Sequence, residues 1–223
     1  MATAAKEEKQ MARDNDAGLD QPFNLIVRVN GSTPYLMHNE RMADPLDAHA
    51  RALAELSRKT RKTIAEHEQM ARVEFEGTIY HDPDVPGPVP EGALGPYLPA
   101  RQLWRMLIAG GTAQKIGENI RRGVQIVEQR VPLNYDGPRD IDGLWAEGYW
   151  DRSTIVVSQK RVPRTRPCFT SWAATVRYWV VRTEVDFDKL ERAGERGGAL
   201  YGLGDARKLG FGRCQVTMET VGP

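Results

Sequence analysis

Residues 200–216, LYGLGDARKLGFGRCQV, decide how the rest of the chain is read. Gly202, Gly204, Gly210 and Gly212 fall in two pairs, each spaced by two, with Arg207, Lys208 and Arg213 among and beside them. Glycine reaches positive φ freely and lets the backbone come close to another group, at an entropic cost on folding. Four of them here imply a tight loop, and the pattern from Arg213 to Met218 then reads as a closing strand. Such a loop has two uses. It can turn its amide N–H groups outward as a concave anion site that arginines close around, or it can be a compact turn at a sheet edge. Residue types alone leave both open. Two familiar motifs are excluded. Gly202-Leu-Gly204-Asp-Ala-Arg207 lacks the third glycine of a dinucleotide fingerprint and follows a helical pattern where a strand is needed. No Gly-Lys-Ser/Thr is present, so there is no triphosphate P-loop.

Upstream of the loop, residues 187–200 suit a helix, although Gly194, Gly197 and Gly198 weaken it. Residues 171–184 alternate as a strand, with Trp172, Ala174, Val176, Tyr178 and Val180 on one face. Thr175, Arg177, Trp179 and Val181 fall on the other. A second strand is predicted over 154–162, and the link RVPRTRP after it is held extended by Pro163 and Pro167. Between Arg152 and Arg166 lie Lys160, Arg161 and Arg164 and no acid, a composition suited to tracking phosphates. Arg28 and Arg177 are expected on the same sheet surface, with Trp179 and Tyr178 near for stacking on bases. The alternative is that these arginines pair with Asp136, Asp140 and Asp142 in the irregular aromatic stretch 134–150.

Toward the N-terminus, 23–30 alternate as a strand, with Phe23, Leu25, Val27 and Val29 on one face, and 34–38 are extended. Asp44-Pro45 reads as a helix opening. The helical pattern runs on to about Phe75, broken by the basic residues 57–63. A short strand over 77–80, a Pro/Gly-rich loop over 81–96, a helix over 101–108 and a strand over 120–131 complete the pattern. Residues 1–21 read as a mobile polar arm, leaving one domain over 22–223 with a helical insertion at about 44–75.

The chain has 223 residues, 40% hydrophobic and 27% charged, with 31 basic against 30 acidic residues for a formal net charge of +1. This composition is that of a soluble globular protein, and any polyanion partner requires positive charge gathered on one face. Cys168 and Cys214 match no zinc spacing and read as reduced thiols; with no apolar span or signal core, a cytoplasmic location is expected. No cofactor or metal is expected. His38 is the candidate general acid/base, and none of the four histidines falls in a ligand pattern.

Three pieces, FNLIVRVNGSTPYLMHN, YLPARQLWRMLI and YGLGDARKLGFGRCQV, together resemble the RAMP superfamily of CRISPR-associated proteins, in particular the backbone subunits that coat guide RNA. The chain also looks like uncharacterised phage and prophage proteins. The resemblance implies an α+β fold, a modified ferredoxin-like (RRM-like) antiparallel sheet with helices on one face and a helical insertion after the first strand. It implies a non-catalytic protein that binds single-stranded RNA or DNA by its backbone and assembles as a homo-oligomer, in a filament or ring. The expected contacts are Arg28, Arg161, Arg164, Arg166, Arg177, Trp179, Gly202, Gly204, Arg207, Lys208, Gly210 and Gly212. A small endoribonuclease using His38, or a metal-dependent one using Asp44 or Asp47, is the alternative, and a phage assembly protein on the same fold is another.

Overall fold

The computed structural model describes residues 22–157 and 159–221; the arm expected over 1–21 lies outside them. β1 (Phe23–Gly31) and β2 (Tyr35–Leu36) lead through a 3₁₀ turn at Glu40–Ala43 into a helical hairpin of α1 (Ala48–Arg58) and α2 (Ile64–Thr78). β3 (His81–Asp82), β4 (Gly95–Pro99), α3 (Ala100–Gly111), α4 (Gly117–Gly123), β5 (Val124–Ile126) and β6 (Arg130–Pro132) follow. Next come α5 (Ile141–Ala146), a hairpin of β7 (Trp150–Val157) and β8 (Lys160–Phe169), β9 (Ala173–Val180), α6 (Phe187–Arg196) and β10 (Cys214–Val221). The fold is α+β with antiparallel sheets.

The largest sheet has four strands in the order β10-β1-β9-β5, and β1 sits at its centre because its core face is apolar throughout. Val27 pairs with Val176 on one side and Met218 on the other, so the period-two alternation of all three strands falls into register. Leu25, Val27, Val29, Val176 and Tyr178 are fully buried against Leu103, Met106 and Leu107 of α3 and Leu190 and Ala193 of α6. The opposite face carries Arg28, Thr175, Arg177, Trp179, Gln215 and Thr217, all exposed. The glycines that lower the helix propensity of α6 are there for packing. A Cβ on Gly194 would lie 2.4 Å from Met218 Cε, and one on Gly110 of α3 would lie 2.0 Å from the Ala193 carbonyl.

Several predicted boundaries differ. Residues 120–131 are not one strand: α4 ends at Gly123, with Arg121 and Arg122 in its last turn where cations suit the helix dipole, and β5 and β6 follow as short strands. Residues 77–80 are not a strand, since α2 continues to Thr78. The basic link after residue 162 is itself strand, because β8 runs to Phe169, pairing with β7 up to Pro167 and with β2 at Cys168 and Phe169. Asp44 does not open α1. Asp47 does, its carboxylate accepting from the N–H groups of His49 (2.8 Å) and Ala50 (3.2 Å), while Asp44 accepts from Leu46 N–H. Among the described residues no helix is long and apolar enough to cross a membrane.

Candidate functional site

The glycine-rich loop joins α6 to β10 and is bonded to β2 and α3. Gly202, Gly204, Gly210 and Gly212 all have φ between +69° and +93°, which only glycine adopts without strain. Its amides, however, turn inward. Leu203 N–H donates to Gly212 O (2.9 Å), Asp205 N–H to Leu36 O (2.9 Å), Gly212 N–H to Pro34 O (2.8 Å) and Gly202 N–H to Gly197 O (2.9 Å). Gly204 N–H donates to Gln102 Oε1 at 3.2 Å, and the Tyr35 hydroxyl shares that acceptor at 2.9 Å. A Cβ on Gly212 would sit 1.8 Å from Leu203 O, and one on Gly204 2.3 Å from Leu36 O. These close approaches are to the protein's own backbone. Of the two uses open to the loop, the outward amide cradle is not the one adopted at Gly202, Gly204 and Gly212. At Gly210 alone of these four does a Cβ meet open space.

The cations expected on one surface are divided. Arg166 is buried, its side chain 7% exposed, and holds Asp205 at 2.7 Å, Ser153 Oγ at 2.8 Å and Asp151 at 3.6 Å. Arg164 pairs with buried Glu74 at 2.6 Å. Both guanidiniums brace the β7–β8 hairpin, Arg166 against the glycine loop and Arg164 against α2, so the expectation that they reach an outside phosphate is corrected. Their partners are Glu74, Asp205 and Asp151 rather than the 136–142 aspartates. Asp140 caps α5 through Gly143 N–H (2.7 Å), and Asp142 pairs with Arg72. Arg28 and Arg177 do share the open face of the four-stranded sheet, paired across solvent with Glu219 (2.7 Å) and Glu128 (3.3 Å). Such exposed pairs are worth little and yield to competing ligands. Trp179 lies two residues beyond Arg177 on the same face of β9, 48% exposed, its Nε1–H donating to Asn24 Oδ1 at 2.9 Å. Tyr178 is not available for stacking: its side chain points into the core and its hydroxyl donates to Ala100 O at 2.8 Å. Arg161 is exposed near the hairpin tip, opposite Val156.

Where the loop meets α3, a cleft of about 210 Å³ opens between His38, Arg101, Arg105 and Arg207, with Glu40 and Asp205 on its walls. Arg101 and Arg105, a helical turn apart on the polar side of α3, point into it while Leu103 and Leu107 face the core. Glu40 pairs with Arg101 at 2.8 Å. Asp205 is held by Arg166; burial works to raise its pKa, but hydrogen bonds from Arg166 and Ala206 N–H, helped by the charges of Arg166 and His38, hold it below the usual carboxylate range. Arg105, Arg207 and Lys208 are exposed and have no carboxylate partner among the described residues. The cleft therefore carries uncompensated positive charge beside an exposed imidazole. Sequence reasoning passed over Arg101 and Arg105, although their spacing of four on the face opposite an apolar stripe was the available signal.

Asp44 and Asp47 are engaged in the caps described above, and among the described residues no group of three or more His, Cys, Asp or Glu is placed to hold a metal ion. Cys168 and Cys214 are free thiols; burial pushes them up to about 11 and about 12, so both are protonated at neutral pH. No protein-family model matches the chain, and no curated protein matches it.

Proposed function

We propose that this protein binds single-stranded nucleic acid, RNA or DNA, by the sugar–phosphate backbone, without catalysing a reaction, on a modified ferredoxin-like (RRM-like) core of the RAMP kind. The strand order supports the core. β1, α3, β5, β9, α6 and β10 follow one another as β-α-β-β-α-β and assemble as β10-β1-β9-β5, with both helices on one face. The observation that carries the binding reading is the cleft, which Arg105 and Arg207 both line without a carboxylate partner among the described residues. A guanidinium fork matches phosphate oxygens and is weakly hydrated, so an unpaired pair of them is a phosphate site in want of a ligand. Lys208 extends the charge along the loop, and Trp179 with Arg28 and Arg177 offers a stacking platform on the open face.

Fluorescence anisotropy with a labelled single-stranded oligonucleotide, titrated across a series of salt concentrations, tests this. Arg105→Ala and Arg207→Ala should each weaken binding. Together they should flatten the slope of log K against log salt by about 1.4, since each single-strand phosphate contact contributes about 0.7. Arg121→Ala, which removes an exposed cation already paired with Glu118, should leave the slope unchanged. Absence of binding at low salt, or a double variant with the parental slope, overturns the proposal. The same reading has copies of the chain assemble side by side on the strand, seen by mass photometry as particles that lengthen with the oligonucleotide. A discrete particle indifferent to oligonucleotides would favour an assembly protein instead. One observation favours a second reading, RNA cleavage: His38 lies exposed in the same cleft as the three arginines. Cleavage of labelled RNA in EDTA, lost in His38→Ala, would establish it.

A further inference from the structure

On the far side of the β7–β8 hairpin, α2, α5 and β7 enclose a second, larger cleft of about 470 Å³, within the range of small-ligand sites. Its wall is two tryptophans. Trp145 and Trp150 stack with ring centroids 5.6 Å apart at 30°, and Trp150 Nε1–H donates to Trp145 O at 3.2 Å, which fixes the outer ring. Phe75 meets Trp145 edge-on at 5.3 Å and the Arg72 guanidinium lies 5.4 Å from its centroid, so the inner ring is fully engaged. The outer ring is not: Trp150 remains 38% exposed. The floor is Ala71 and Thr165, small buried residues that leave room above them.

Arg152 supplies the charge. It stands two residues from Trp150 on the same side of β7, opposite Thr165, and has no carboxylate partner among the described residues. Two residues along a strand is about 7 Å, close to the separation of base and phosphate within one nucleotide. At the rim Glu68 and Gln69 of α2 are exposed, their side chains without a hydrogen-bond partner among the described residues. A carboxylate there accepts from an exocyclic amino group, as in recognition of cytosine N4.

We propose that this cleft is a nucleotide site: the base stacks on Trp150, the phosphate pairs with Arg152, and Glu68 favours bases that carry an amino group. The ligand is either a free nucleotide or one residue of a bound strand. The site uses neither Arg105 nor Arg207 and stands apart from the cleft beside the glycine loop.

Titration of the intact protein with CMP, AMP, UMP and cytidine, followed by tryptophan fluorescence, tests the assignment. CMP and AMP should quench saturably and more tightly than UMP, and Glu68→Gln should remove that preference. Trp150→Leu should abolish the saturable change. Arg152→Gln should weaken CMP roughly tenfold while leaving cytidine unaffected, a contrast that a merely misfolded variant cannot produce. Absence of saturable quenching by CMP up to about 10 mM, or an unchanged titration in Trp150→Leu, overturns the proposal. The Arg105→Ala/Arg207→Ala protein separates the two sites. If it loses oligonucleotides but keeps CMP quenching, both assignments stand. Oligonucleotide binding without CMP quenching removes only this one. CMP quenching with oligonucleotide binding unaltered in the double variant removes only the strand site. A labelled oligonucleotide measured against Trp150→Leu then tells the two ligand sources apart, since only a stacked strand residue makes that variant bind it more weakly.

Discussion

Asp205→Asn should destabilise the protein by about 2 kcal/mol at neutral pH, and the loss should vanish in acid. The carboxylate accepts from Arg166 at 2.7 Å and from Ala206 N–H at 2.7 Å, and its main chain is tied to Leu36. Asparagine keeps the backbone bonds but removes the charge that nearly buried Arg166 faces. A hydrogen bond to a charged group contributes about 1.5–3 kcal/mol. Asp205 is 38% exposed and its share is screened, which places the effect in the lower part of that range. Asp151, at 3.6 Å, keeps an ion pair with Arg166 but lies beyond hydrogen-bond distance, so it offsets only part of the loss. The pH sign follows from the depressed pKa of Asp205, which burial opposes and the Arg166 contact sets. The folded carboxyl holds its proton less tightly than the unfolded one, so its stabilisation is complete above the unfolded value of about 3.9 and is lost as pH falls through the folded one. Urea denaturation at neutral pH should show the midpoint of Asp205→Asn lower by about 1 M, taking a slope of about 2 kcal/mol/M. That gap should close progressively below about pH 4. Equal midpoints at neutral pH, or a gap that persists unchanged in acid, would show that Arg166 is not holding the loop through this carboxylate.

The glycines of the loop should separate sharply by thermal unfolding. Gly212→Ala drives a Cβ into Leu203 O and should cost more than about 3 kcal/mol, whereas Gly210→Ala meets only its positive φ and should cost about 1–2 kcal/mol. Similar losses in the two would refute the packing account. Glu74→Ala should cost about 3 kcal/mol in urea, because it strips Arg164 of its partner and leaves Thr165 N–H, now bonded to Glu74 Oε2 at 2.8 Å, without an acceptor. A change under about 0.5 kcal/mol would mean that α2 does not anchor the free edge of β8.

Much of the central sheet was legible because its strands carry their burial in period two. Leu25, Val27 and Val29 are fully buried and alternate with less buried neighbours, as do Val176 and Tyr178, and the register merely aligns them. The helical hairpin of the insertion was legible as well, down to the basic break between α1 and α2. The β7–β8 hairpin was not. Its two strands share Arg, Thr and Val, and Pro163 and Pro167, both in β8, suggested a link where they instead sit inside a paired strand. Asp44-Pro45 misled in a related way: two aspartates three apart both accept from the N–H two residues on, and only Asp47 does so at the start of a helix.

The candidate site was hidden for a different reason. A glycine's freedom can serve an outside ligand or the chain's own crossing, and composition cannot tell which; the question is what a Cβ would strike. At Gly202, Gly204 and Gly212 it strikes Gly212, Leu36 and Leu203 respectively, and these residues weld the loop to β2 and to itself. The arginines divide by the same logic. With 31 basic and 30 acidic residues, most cations can be neutralised within the fold, so an arginine is informative only once its carboxylate is found or found wanting. Arg164 and Arg166 have theirs, supplied from residues 74 and 205, ninety before and thirty-nine after, distances over which no sequence window operates. Arg105 and Arg207 have none among the described residues, and they line one cleft where the loop is tied to α3 by Gln102 through Gly204 N–H and to β2 by Asp205 N–H. The feature that nominated the loop, its glycines, thus acts one step removed. It folds the backbone tightly enough on itself to carry Arg207 to the mouth of a cleft whose other wall is a helix a hundred residues away.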